Sequence, residues 1–207
     1  VSSSEITLAE IFAEKNYKTG IFGKWHLGDN YPSRPSDQGF QESLIHLAGG
    51  IGQVGDFTNY YAGNESYFDP ALWHNNEIKK YEGYCSDIFT DEALKFIEQN
   101  KSNQFFCYLS FNAPHTPLQV PEKYYDLYKD IDPSNFYEEV TSEMTERDVN
   151  DAKKIYGMVT NIDENFGKLL YKLEELDIKE NTIVIFLTDN GPQQTRYVSN
   201  LRGLKSE

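Results

Sequence analysis

Residues 7–30, TLAEIFAEKNYKTGIFGKWHLGDN, carry the pattern from which the fold is read. Thr7 and Glu10 have the T-x-x-E spacing of a capping box, and Leu8, Ile11 and Phe12 form an apolar stripe. A helix is therefore predicted from Leu8 to Lys15. KTGIF then reads as a short strand. It runs directly into Gly23-Lys24-Trp25-His26, which sets two cationic side chains between Gly23 and Gly28. Helix, strand, then a turn bearing ionisable groups is the unit to look for in the rest of the chain.

It recurs twice. Phe89, Ala93, Phe96 and Ile97 follow helical spacing and predict a helix over 87–99. QFFCYLSF, 104–111, is the continuous apolar run expected of a strand covered on both faces, and it leads into NAPHTP with His115 at its centre. Ile155, Val159, Ile162, Phe166, Leu169, Leu173 and Leu176 predict a long helix over 147–176. Gly157 and Gly167 each weaken that helix by about 1 kcal/mol relative to alanine, so packing must hold it. TIVIFLT, 182–188, reads as another buried strand and leads into Asp189-Asn190-Gly191. Residues 29–84 are rich in Gly, Asn, Asp, Pro and Tyr and read as a loop-rich excursion with short hairpins, and short helical pieces are expected around 124–128.

This alternation predicts an α/β layered fold with a largely parallel sheet. Ligands of such sheets bind beyond the carboxyl ends of the strands. The three turns then share one edge, and a site assembles from Lys24, His26, His115, Asp189 and Asn190. Each has an ordinary alternative. Lys24 and His26, two apart in an extended segment, project to one side, or are a surface lysine beside a loop histidine. His115 is a ligand-facing imidazole, or a loop histidine held by Pro114 and Pro117. Asp189-Asn190-Gly191 is a hard-cation site whose oxygens suit calcium or magnesium, or a plain turn. Lys205 alone reads as a solvated lysine, and His46 and His74 read as structural. GIGQVG, 50–55, fits G-x-G-x-x-G but has no following helical stripe, which argues against a nucleotide role.

Composition narrows the classes. The 207 residues suit one domain, or one domain and part of another. A net charge of −14 argues against nucleic acid as partner, and any anionic ligand must meet a local cluster of cations. Cys85 and Cys107 form no CxxC or zinc pattern, and their pairing stays open. No apolar run is long enough to span a bilayer, so no membrane role is expected. The ends, VSSSEITLAE and LRGLKSE, read as cut, and a fragment is expected.

TLAEIFAEKNYKTGIFGKWHLG, APHTPLQVPEKY, TIVIFLTDNGPQ and LRGLKSE together resemble the type I sulfatases of the alkaline phosphatase superfamily, nearest the arylsulfatase B and N-acetylgalactosamine-6-sulfatase-like members. The resemblance implies an alkaline-phosphatase-like sandwich with helices on both faces, incomplete at both ends. Residues 1–207 would be the central part of the catalytic domain. It implies hydrolysis of sulfated sugars or aryl sulfates through a formylglycine nucleophile, with calcium (or magnesium) as cofactor. By that resemblance Lys24 contacts sulfate and nucleophile, and His26 bonds the nucleophile's second hydroxyl. His115 binds sulfate and protonates the leaving oxygen. Lys205 is a second sulfate lysine. Asp189 and Asn190 are calcium ligands, and Asp189 also activates the attacking hydroxyl. Tyr60, Tyr61, Trp73 and His74 are candidates for a sugar-facing wall. Export or a lysosomal location is implied by kinship.

The departures are specific. No C/S-x-P-x-R motif for the formylglycine precursor is present. NYPSR, 30–34, imitates its tail but places Asn30 at the nucleophile position, downstream of GKWHLG. The nucleophile and the first metal ligands are therefore expected before residue 1. Two alternatives stand beside the sulfatase: a phosphonate or phosphodiester hydrolase of the same superfamily, and a degenerate relative that only binds sulfated glycans.

Overall fold

The structure, a computed structural model, describes residues 2, 4–136, 144–193 and 205. Its first helix, α1 (Leu8–Glu14), begins at the predicted capping box. The Glu10 amide donates to Thr7 Oγ1 at 3.1 Å, and the Thr7 amide donates to Glu10 Oε2 at 2.7 Å. Strand β1 (Lys18–Lys24) is two residues longer than KTGIF suggests. It lies between β2 (Glu42–His46) and β5 (Phe105–Ser110) and runs parallel to both. An antiparallel hairpin, β3 (Ala71–His74) and β4 (Glu77–Lys80), extends the sheet beyond β2. The order is β4-β3-β2-β1-β5. Asn75 and Asn76 form the hairpin turn with φ of 49° and 69°, the left-handed pair a two-residue turn needs. The predicted loop excursion thus contains three of the five strands, each too short to show a period among its polar neighbours.

Two cores flank the sheet, because successive strand residues point to opposite faces. Ile21 and Ile45 pack with Ala9, Trp25 and Phe40 on the α1 side. Phe22 and Leu44 pack with Phe89, Ala93 and Phe96 of α2 (Cys85–Asn100) and with Met158 and Leu173 of α4 (Glu146–Glu175). Helices therefore cover both faces. The short α3 (Glu122–Tyr125) lies on α4 where Gly157 leaves room for the Tyr124 backbone. Cys85 and Cys107 are free thiols, and burial pushes each up to about 12. No helix among the described residues is long and apolar enough to cross a membrane.

One expected strand is not there. TIVIFLT makes no ladder with any described residue, and its large apolar side chains lie open, from 39% for Val184 to 90% for Ile183. Only Phe186 finds an aromatic partner, the ring of Phe166 on α4 at 5.3 Å. The apolar composition reads as burial, but among the described residues the segment pairs with neither edge strand of the sheet, β4 or β5. β5 also departs from expectation. Among the described residues it pairs only with β1, and it leaves Tyr108 44% exposed, so it is covered less fully than its sequence suggests.

Candidate active site

The parallel strands end at a shared edge, and the ionisable turns leave from it. β1 closes with Gly23 at φ +122°, where an added Cβ would sit 1.9 Å from the Ser110 carbonyl oxygen. Only glycine permits this approach of β1 to β5. Ser110 Oγ then donates to the Lys24 carbonyl at 2.7 Å, which fixes the end of β1 against β5. The chain does not continue extended to His26, whose φ is 52°, so the same-side argument for Lys24 and His26 does not hold. Trp25 pins the turn. Its indole N–H donates to the carbonyls of Gly28 and Ser33, and its ring meets Phe40 edge-on.

After β5 the NAPHTP loop is held from several sides. Tyr67 Oη donates to the His115 carbonyl at 2.8 Å, and the Asn112 amide donates to Tyr67 Oη. Gln53 Nε2 donates to the Thr116 carbonyl at 2.7 Å. His115 Nδ1 lies 2.7 Å from that carbonyl. A carbonyl only accepts, so the proton sits on Nδ1 and Nε2 is the atom left to exchange a proton with a ligand.

Lys24 and His115 both feel the charges of Asp189 and Lys205. Burial lowers the pKa of half-buried Lys24; Asp189 opposes this and Lys205 adds to it. Burial also lowers His115. Its bond to Thr116 opposes that fall, Lys24 and Lys205 deepen it, and Asp189 opposes it. Two lysines and a histidine thus gather in a chain of net charge −14, the local cation cluster an anionic ligand requires. Lys205 is tied in by its amide, which donates to the Pro192 carbonyl at 2.8 Å. It is the only residue of LRGLKSE within the described set.

His26 is exposed, and its ring rests on Gly49, where an added Cβ would stand 2.9 Å from Cε1. At the next residue, a Cβ on Gly50 would stand 3.2 Å from His115 Nδ1. The two glycines that begin GGIGQ are therefore the floor on which both imidazoles lie, a use unrelated to nucleotide binding. Asn190 donates its amide to the Gly191 carbonyl, leaving its oxygen for other contacts. Asp189 and Asn190 offer oxygens of the type a hard cation takes, but no group of three or more His, Cys, Asp or Glu that could hold a metal occurs among the described residues.

The proposed sugar wall divides. Tyr60 and Tyr61 are exposed and stack edge to face. Trp73 lines a cavity of about 210 Å3 with Asp29, Asn30 and Arg34, on the α1 side of the sheet. His74 is engaged by Glu42 Oε1 and Tyr81 Oη, both at 2.7 Å, which is a structural role.

His46, read from sequence as structural, sits within the site. It pairs in register with Lys24 on the neighbouring strand. Burial pushes its imidazole down to about 4. The Leu47 carbonyl and Asp56 oppose this, and Lys24 and His115 add to it. Asp56 is buried beside it and accepts from the Gly52 amide, Thr58 Oγ1 and Asn59 Nδ2. No spacing rule in the sequence joins His46 to Lys24; the parallel register does.

Known proteins share this fold. A family model described as Sulfatase matches residues 2–207. The chain belongs to the sulfatase family. It is 30% identical to an uncharacterized sulfatase of Schizosaccharomyces pombe, matching 90% of this chain and 41% of that one. It is 29% identical to an arylsulfatase of Hemicentrotus pulcherrimus, over 92% of this chain and 32% of that one. The crystal structure of Ps i-CgsB in complex with k-i-k-neocarrahexaose superposes with a TM-score of 0.73 at 30% identity, covering 92% of this chain and 41% of that one. The sulfatase chain described here therefore spans less than half the length of these relatives.

Proposed function

We propose that the whole protein containing this chain is a sulfuric ester hydrolase acting on a sulfated sugar or an aryl sulfate. One observation carries the reading: Lys24, His115 and Lys205, distant in sequence, share one electrostatic neighbourhood at the carboxyl edge of a sulfatase sheet. A sulfate ester is anionic, and its charge shifts toward the leaving oxygen as the S–O bond breaks. Half-buried Lys24 opposes that charge from a partly desolvated edge, where a fixed cation acts most strongly, and exposed Lys205 adds to it. His115, anchored through Nδ1, presents Nε2 to the leaving oxygen and donates a proton there from its imidazolium form, which Asp189 favours. His26, lying on Gly49, orients a hydroxyl of the nucleophile.

Formylglycine, expected outside these residues, supplies that nucleophile. Asp189 and Asn190 would hold part of a calcium ion, which needs roughly 6–8 oxygens, so further ligands must come from elsewhere. When bound, the ion supplies positive charge near the sulfate. A relative solved with k-i-k-neocarrahexaose supports a saccharide ester, and an arylsulfatase relative supports an aryl one. Export to the periplasm or outside the cell, or a lysosomal location, is part of the same proposal and is supported by kinship alone.

The test is turnover by the whole protein of a chromogenic aryl sulfate and sulfated oligosaccharides, beside the matching phosphate and phosphonate esters. Sulfate esters are expected to be preferred, with Lys24→Ala and His115→Ala each lowering kcat/KM by about 100-fold or more. Preference for phosphonate would move the protein to the neighbouring hydrolase class. Saccharide binding without turnover would make it a glycan binder.

A further inference from the structure

We propose that His46 is a positioning residue for Lys24: its buried Nε2 lone pair, unpartnered in the structure, is the uncharged acceptor that the Lys24 ammonium takes up as it turns to a bound anion. The anion's identity rests on the sulfatase reading; the contact itself does not.

Lys24 and His46 are register partners at the ends of parallel strands. Phe22 and Leu44, two residues earlier on each strand, both face the α2 side, and the His46 ring approaches Phe89 of α2 at 6.5 Å. The two side chains therefore stand side by side on one face. His46 Nδ1 lies 2.9 Å from the Leu47 carbonyl, which can only accept, so the ring proton is on Nδ1 and Nε2 is an acceptor. Nε2 is buried and makes no hydrogen bond to any described group. A bare buried acceptor costs about 1–3 kcal/mol, a burden that burial of the ring alone does not require. Solvent does not touch this atom, so a bound substrate cannot reach it. Lys24 does not donate to it in the structure, but it carries three donors on the adjacent strand, and a turn of its side chain toward a bound anion brings one of them to Nε2.

The chemistry explains a histidine here. A carboxylate in its place would pair with Lys24 and cancel the charge that the anion needs. A neutral imidazole orients the ammonium and leaves that charge intact. Asp56, the carboxylate nearest in effect, is already committed to Gly52, Thr58 and Asn59.

The experiment uses the whole protein, with inorganic sulfate as the binding probe in calorimetry and an aryl sulfate as substrate. His46→Leu fills the space without an acceptor, and His46→Gln returns an oxygen near the Nε2 position. His46→Leu is expected to weaken sulfate binding and lower kcat/KM by about tenfold or more, with an unfolding midpoint within a few degrees of the parent. His46→Gln should keep both within about threefold of the parent. In a Lys24→Ala background His46→Leu should have no further effect, because the coupling partner is gone. The inference is overturned if His46→Leu binds and turns over like the parent, or if its effect is undiminished without Lys24. Should the leucine variant not fold, His46→Gln is compared with His46→Asn, whose oxygen falls short of Nε2; equal behaviour overturns the proposal. A protein that shows the binding pattern yet hydrolyses no sulfate ester removes the sulfatase reading and leaves the His46–Lys24 contact standing.

Discussion

QFFCYLSF and TIVIFLT are apolar runs of similar length, each leading into a turn with an ionisable group, and they end in opposite circumstances. The first becomes β5, laddered to β1 from Lys18↔Phe105 to Gly23↔Ser110, and it holds the His115 loop still. The second carries Asp189 and Asn190 on a segment with no ladder among the described residues and with Ile185 75% exposed. One half of the site is thus built on hydrogen-bonded strands and the other on an unpaired run. An apolar sequence states a demand for burial; whether the demand is met depends on which edge is free to meet it.

The laddered half should be the more fragile to substitution. Gly23→Ala puts a Cβ into the Ser110 carbonyl at a φ that side chains rarely adopt. Neither backbone atom can yield without parting β1 from β5. The expected loss is above about 4 kcal/mol by denaturant unfolding, and a loss under about 1 kcal/mol would mean the β1–β5 contact is looser than described.

A matched pair then probes the two runs directly in the 207-residue chain. Ile21, fully buried on β1, should cost about 2–5 kcal/mol as Ile21→Ala. Ile185→Ala should change stability by no more than about 0.5 kcal/mol. Equal costs would show that residues 183–187 are covered, and the comparison would fail. The same pair in the whole protein sharpens it: a rise in the cost of Ile185→Ala there measures how much cover the rest of the protein provides.

What the sequence could show follows the same division. Thr7 and Glu10 announce α1, and the stripes of α2 and α4 announce themselves, because caps and helical periods are local. β1 and β5 are legible as apolar runs. β2, β3 and β4 are not, since strands of five, four and four residues between polar turns carry too few side chains to show alternation. TIVIFLT is misread because partner edges are not written in the run itself. Lys24 and His115 are legible as turns after strands and Asp189 as a turn after an apolar run, and the sulfatase resemblance gave them roles. His46 is not legible, since a lone histidine ending an apolar run is ordinarily core, and only pairing of β1 with β2 brings it beside Lys24.

Acid should reveal His46 within the laddered half. Its pKa is about 4 in the fold against 6.5 for an ordinary histidine. Between those values the unfolded chain binds a proton that the folded ring refuses, so stability is highest above about pH 6.5 and falls as pH drops toward 4. The contribution lost is on the order of 3 kcal/mol. His115, also lowered, titrates in the same direction and adds to the slope. Unfolding midpoints measured from pH 7 to 4 should fall more steeply in the parent than in His46→Gln. Parallel curves would mean that the imidazole is not held neutral by burial.

The smallest effect bears on whether the unpaired half is held near the laddered one. Asp189 draws the His115 pKa up, whereas Lys24 and Lys205 push it down. Followed by NMR of its ring protons in the 207-residue chain, His115 should titrate below the usual histidine range. Asp189→Asn should move it lower still, and Lys205→Ala and Lys24→Ala should each move it higher. Lys24 stands on β1, so its effect is expected however the run over 183–187 behaves. The Asp189 and Lys205 effects depend on that run staying close to the sheet edge. If Lys24→Ala shifts His115 while Asp189→Asn and Lys205→Ala do not, the cation cluster in this chain reduces to Lys24 and His115, and the rest of the site must be brought in by whatever pairs with the run from 183 to 187.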